Sequence, residues 1–341
     1  MQLYKALALQ TECAAVNRCT TRAEAREIMQ GAMARITGQL ISARAFHGPS
    51  LRLVCLPEYF LTSYPARESA AEWRDKACVD MDGATYDAIA RMAEQTGMFI
   101  GANLYERDPH FPELYFQAST ITAPNGALIL RYRRLISMYA PSPYDVMDRY
   151  LEHYPLESWF PVADTEIGQL AALASEEIRY PEIARILALR GAEVILHPTS
   201  EASSTQPTYK NVAKVARAQE NQCYVVSANS ASITGTALPA ASTDGRSQIV
   251  DDRGLVLADT GWGESITACA DIDIHALRQR RARVGMDTVL ARQPVALYAR
   301  MFAQVSGHPP GSLGEGGEAP AKSFYSERQA RVIRDMGLGS S

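Results

Sequence analysis

Apolar positions change period along this chain. Met29, Met33, Ile36 and Leu40 recur at helical spacing between Thr21 and Phe46, with Thr20 or Thr21 placed to cap, which predicts a long amphipathic helix. Leu51 to Leu56 is a short apolar run that reads as a buried strand delivering Glu58 at its end. A second helix is expected from Ala84 to Gln95, stopping at Gly97 before a strand from Met98 to Leu104. Leu114 to Thr122 and Ala127 to Tyr132 read as two strands joined by the tight turn Pro124-Asn125-Gly126. Residues 135–161 carry four prolines and four tyrosines without a clean period, so a long loop or lid is expected there.

From Gly168 the alternation restarts: strand to Ala174, helix Tyr180 to Arg190, strand Glu193 to His197, helix Tyr209 to Gln222, strand Cys223 to Ala228. Strands at Ser247 to Val250, Leu255 to Ala258 and Ser265 to Ala270 follow, then a short helix from Ile274 to Arg283. Two sheets, each covered by helices on its outer face, make an α/β fold, a four-layer α-β-β-α sandwich. Apolar residues are spread evenly enough for one domain over 1–305. Residues 306–341, with Gly311, Gly314, Gly316 and Gly317 near Pro309, Pro310 and Pro320, read as an extended arm.

Composition narrows the partners. With 47% hydrophobic and 21% charged residues and a net charge of -4, the chain is an ordinary globular one without a basic surface for nucleic acid. Met1 to Val16 shows no basic leader followed by a cleavage site, and Tyr4 to Leu9 is too short to cross a membrane. Six cysteines without paired spacing point to a reducing cytoplasm. The six histidines are scattered, with no helical pair, and glycine-rich phosphate loops are absent, so no metal and no cofactor is expected.

Chemistry concentrates at strand ends. Glu58 follows Leu53-Val54-Cys55-Leu56-Pro57, where a buried carboxylate needs a partner. Strand alternation puts Arg131 and Arg133 on one face and Tyr132 and Arg134 on the other, so an inward Tyr132 brings Arg134 inward as a bidentate partner for Glu58. Ser175, in Leu173-Ala174-Ser175-Glu176-Glu177, stands where a strand-to-helix turn presents a nucleophile, with the Glu176 backbone N–H placed to meet an oxyanion. Glu157, beside Leu156, Trp159 and Phe160, is the second candidate carboxylate, with Glu152 as its competitor. Tyr59, Tyr139 and Asn229 are candidate pocket residues, and the loop Thr199 to Thr208 leaves its strand on the same side as Ser175. His197 reads as a packing or supporting residue rather than a base.

On these segments, over roughly residues 3 to 283, the chain resembles the nitrilase superfamily of carbon-nitrogen hydrolases, with its nearest local likeness to aliphatic amidases and formamidases. The resemblance implies the same four-layer fold and a site of Glu, Lys and Cys. Glu58 matches its general base and Glu157 its second carboxylate, whereas Arg134 falls where the Lys belongs and Ser175 where the Cys belongs. It also implies a structural role for Asn229 and a homodimer or higher homo-oligomer, with the helix after Tyr180 and the Val295 to Phe302 segment buried between subunits.

Both substitutions weaken the family's chemistry. A serine hydroxyl is far less acidic than a thiol, no histidine stands near it in sequence, and arginine cannot hand a proton to a leaving amine. Two functions therefore compete: a hydrolase or acyl-transfer catalyst for a small amide or related carbonyl compound through Ser175, and a silent protein that binds a small polar ligand or acts as a scaffold.

Overall fold

The computed structural model describes residues 3–201, 204–240, 245–305, 307–313 and 320–337. Helix Arg22–His47 starts where its cap dictates: Thr21 Oγ1 accepts the Glu24 N–H at 3.2 Å, and the Glu24 carboxylate accepts the Thr21 N–H in return. Met29, Met33, Ile36 and Leu40 form its buried stripe. Helix Ala84–Thr96 stops because Gly97 takes φ +63° and returns its N–H to the Ala93 carbonyl at 2.9 Å. Both helices cover the outer face of the first sheet, where their apolar stripes join a core of Leu7, Val54, Ile100 and Leu104.

In that sheet Leu3–Ala8, Leu51–Cys55 and Phe99–Arg107 run parallel, and Phe116–Thr122 and Leu128–Arg133 extend it antiparallel. The turn Pro124-Asn125-Gly126 joins the last two, with Gly126 at φ +83°. In the second sheet Gly168–Ala172, Val194–Pro198 and Tyr224–Ala228 are parallel, and helices Pro181–Leu189 and Tyr209–Asn221 turn apolar residues onto it. The sheets pack face to face around Leu53, Ile121, Leu170 and Leu196. At one point they come so close that a Cβ on Gly101 would lie 2.4 Å from Leu196 Cδ1. This is the α-β-β-α sandwich.

Several expectations change. The last strand is Cys269–Asp273 rather than Ser265 to Ala270, and it pairs antiparallel with Leu3–Ala8 at the edge of the first sheet. Thr11–Ala14 and Ser230–Thr234 form a separate parallel pair, too short to show a sequence period. Residues 135–161 are not a loop throughout: single 3-10 turns at Pro143–Val146 and Leu156–Trp159 flank helix Met147–His153. Their aromatic residues gather around a buried cation instead of following a period. The Arg133 guanidinium lies 4.7 Å from the ring centres of Phe116 and Tyr154 and 5.5 Å from that of Tyr150.

The expected extended arm also differs. Its described part contains helix Lys322–Asp335, which returns to the body: Tyr325 is buried, Arg328 pairs with Asp145, and Lys322 Nζ donates to the Ala66 carbonyl at 2.6 Å. Gly314, Gly316 and Gly317 lie outside the described residues. Among the described residues no helix is long and apolar enough to cross a membrane, and no group of three or more His, Cys, Asp and Glu side chains is arranged to hold a metal ion.

Candidate active site

Four chain segments leave the carboxyl ends of strands on one side of the sandwich: Leu56–Tyr59, Arg134–Ile136, Leu173–Glu177 and Thr199–Glu201. Ligands in open α/β sheets favour this end, because loops free of ladder hydrogen bonds can converge there. A cavity of about 420 Å³ opens among them, lined by Tyr59, Gln117, Arg134, Tyr139, Ser175, Glu176 and Lys210.

Glu58 is 2% exposed, and both oxygens of its carboxylate accept hydrogen bonds. Oε1 accepts from Gln117 Nε2 at 2.9 Å and Arg134 Nη1 at 3.2 Å, and Oε2 accepts the Ser200 N–H at 2.9 Å. Strand alternation works as expected: Tyr132 and Arg134 turn inward, while Arg131 and Arg133 turn to Asp82, Glu106 and Asp108. Arg134 does not fork onto Glu58, however. One guanidinium nitrogen, Nη1, serves Glu58 and also donates to Gln117 Oε1 at 2.6 Å, Nη2 pairs with the Glu176 carboxylate, and Nε donates to the Ile136 carbonyl at 2.7 Å. The guanidinium thus bridges two carboxylates, which a single lysine ammonium cannot do with the same planar reach.

Ser175 sits at the turn itself. Strand Gly168–Ala172 ends three residues before it, and Ser175 takes φ +49° as the chain enters a 3-10 turn. Two buried groups hold that conformation from behind. His197 donates from Nε2 to the Ser175 carbonyl at 2.8 Å, a direction fixed because a carbonyl only accepts, and its Nδ1 accepts from Ser227 Oγ at 2.8 Å. Burial pushes His197 well below its ordinary range, consistent with this neutral tautomer. Glu177 accepts the Ala174 N–H at 2.9 Å with one oxygen and, with the other, the Leu135 and Ile136 N–H groups at 2.8 and 3.1 Å and the Tyr132 hydroxyl at 2.8 Å. It ties the serine turn to the segment that carries Arg134.

Lys210 escaped the sequence reading. It lies in the first turn of helix Tyr209–Asn221, and Lys210 Nζ is 3.0 Å from Ser175 Oγ, 3.3 Å from Thr199 Oγ1 and 2.6 Å from the Ser200 carbonyl. No motif announces it, because 34 residues of chain separate it from Ser175; only the start of the Tyr209 helix over the serine turn joins them.

Glu157 requires a correction. It is exposed on the 3-10 turn Leu156–Trp159 and lies outside the cavity, and Glu152 is exposed as well. Trp159, two residues on, takes the buried position instead. The second carboxylate at the site is Glu176, through its side chain. Asn229 is buried and builds the floor rather than facing a ligand: Nδ2 donates to the Gly245 carbonyl at 2.6 Å, and Oδ1 accepts the Glu201 and Ser230 N–H groups at 2.9 and 3.0 Å. Tyr59 and Tyr139 line the cavity. Among the described residues no cysteine lines it, and burial pushes Cys55, the nearest in sequence to Glu58, up to about 12.

The sequence pattern of the carbon-nitrogen hydrolase family matches residues 13–282, and the chain belongs to that family. It is 25% identical over 234 residues to an omega-amidase of Xenopus laevis, covering 68% of this chain and 80% of that one. To a deaminated glutathione amidase of Yersinia enterocolitica it is 26% identical over 260 residues, 75% of this chain and 84% of the relative. The crystal structure of a carbon-nitrogen hydrolase from Helicobacter pylori G27 shares the fold at a TM-score of 0.67 and 20% identity, over 89% of this chain and 99% of that one. The fold is that of the nitrilase superfamily.

Proposed function

We propose that this chain hydrolyses, or transfers the acyl group of, a small amide or related carbonyl compound through Ser175. The observation that carries the reading is the serine turn. A non-glycine residue held at φ +49° is strained by about 1–3 kcal/mol, and such strain persists where the surroundings enforce it, as His197 and Glu177 do here. The turn points Ser175 into a cavity whose walls offer donors and acceptors but, among the described residues, no cysteine. The two relatives are both amidases, which favours an amide as substrate class.

A second reading, a ligand-binding protein without turnover, draws support from Glu58. Both of its oxygens are committed to Gln117, Arg134 and Ser200, so it is poorly placed to take a proton from the nucleophile. The two readings part on one experiment. Wild type incubated with a panel of small amides and esters should release product and carry an acyl mass on the Ser175 peptide, and Ser175→Ala should lose both. Inert wild type with no adduct across the panel would leave the binding reading.

A further inference from the structure

We propose that Lys210 is the general base and acid of this site, forming a Ser175–Lys210 dyad in place of the carboxylate-activated thiol. The proposal rests on Ser175 being the nucleophile and adds which group moves its proton.

Elimination and geometry agree. Arg134 is a permanent cation with four hydrogen bonds already made. Both ring nitrogens of His197 are occupied, and the ring meets the Ser175 carbonyl rather than its hydroxyl. Both Glu58 oxygens are engaged, by Gln117, Arg134 and Ser200, and the Glu176 carboxylate is turned to Arg134. Lys210 Nζ alone among these groups touches Ser175 Oγ.

Its surroundings suit both protonation states. An ammonium has three protons for three neutral oxygens, those of Ser175, Thr199 and Ser200. As a neutral amine it keeps two donations, to Thr199 and Ser200, and turns its lone pair to the Ser175 hydroxyl, so losing the proton orphans no partner. Position in the helix favours the neutral form, since the first turn presents the positive end of the helix dipole. Burial pushes the ammonium below the ordinary lysine range; Glu58, Glu201 and Glu176 act against that and Arg134 with it. Lys214, one turn along the helix, and the neutral His197 also interact with it, and Arg179 and Tyr59 share the cavity it lines.

The steps balance. Neutral Lys210 takes the Oγ proton as Oγ bonds to the substrate carbonyl carbon and the carbonyl electron pair moves to oxygen. When that pair returns, the carbon–nitrogen bond breaks, and the leaving amine takes the proton from the Lys210 ammonium. Water then attacks the acyl-Ser175 ester, giving a proton to Lys210; Oγ leaves, recovers that proton, and the acid departs.

The test uses p-nitrophenyl acetate, whose leaving group needs no acid, with the acetyl group located by peptide mass spectrometry. In wild type, acetylation of Ser175 should rise with pH and level off below the ordinary lysine value of about 10.4. Lys210→Ala and Lys210→Arg should each lower the rate about 10²–10⁴-fold, the usual worth of a general base. Added methylamine or ethylamine should rescue Lys210→Ala but not Lys210→Arg, which a merely structural lysine would not produce. Variants acetylated at Ser175 as fast as wild type would overturn the dyad while leaving Ser175 the nucleophile; wild type acetylated on Lys210 in place of Ser175 would overturn both. A wild type never acetylated at any pH would remove the Ser175 reading, and the dyad with it.

Discussion

Glu177 gives the sharpest test of how the serine turn is held. Its carboxyl is wholly buried, and burial raises it to about 6 against the opposing pull of Arg134 and of the N–H and hydroxyl donors around it. A carboxyl raised from the ordinary 4.5 to about 6 binds its proton more tightly in the native state. That stability is fully present below pH 4.5 and is lost as pH rises through 6, by about 2 kcal/mol at about 1.4 kcal/mol per pKa unit. Glu177→Gln removes the titration. It keeps the oxygen that accepts from Tyr132, Leu135 and Ile136, but sets an amide NH₂ against the Ala174 N–H, leaving both as buried donors without an acceptor at about 1–3 kcal/mol each. Urea unfolding of both proteins from pH 4.5 to 7.5 measures this. Wild type should exceed the variant most at the acid end, and the gap should narrow by about 2 kcal/mol toward neutrality. Subtraction cancels the other titrating groups, including the lowered carboxyls of Glu68 and Asp108 and the lowered His308, which both proteins share. A gap that stays constant or widens with pH would refute the account of Glu177.

Two further outcomes are expected. Ser175→Cys combined with Arg134→Lys restores the family's residue types and should give amide or ester turnover above that of either single change, because members of one catalytic unit are strongly non-additive; equal rates for the double and a single variant would count against it. Assembly is the other. We propose a symmetric homodimer through helix Pro181–Leu189 and helix Val295–Phe302, whose Leu297, Tyr298, Met301 and Phe302 are exposed in the single chain; light scattering at low micromolar concentration should report twice the chain mass, and a monomer would refute it.

The legible parts of the site were those carried by local pattern. Glu58 followed an apolar strand, Arg134 shared a face with Tyr132, and Ser175 stood at a strand-to-turn junction, so each could be placed from its neighbours alone. Glu157 misled for the same reason: Leu156, Trp159 and Phe160 promised burial, but the 3-10 turn spends it on Trp159 and leaves the carboxylate in solvent. The fork of Arg134 onto Glu58 was also too local a reading, since Gln117 arrives from the neighbouring strand and Glu176 from the serine turn to share the guanidinium.

Element order and the two sheets with their outer helices follow from the chain itself, because periodicity and turn residues report on neighbours a few positions away, and burial of one apolar face per element leaves few ways to stack them. Which polar groups meet inside the cavity does not. Lys210 reaches Ser175 because the Tyr209 helix begins over the serine turn, and Glu177 locks the Arg134 segment because two strands of different sheets end side by side. Such contacts cost no sequence pattern to make, so only the packing of the two sheets decides them.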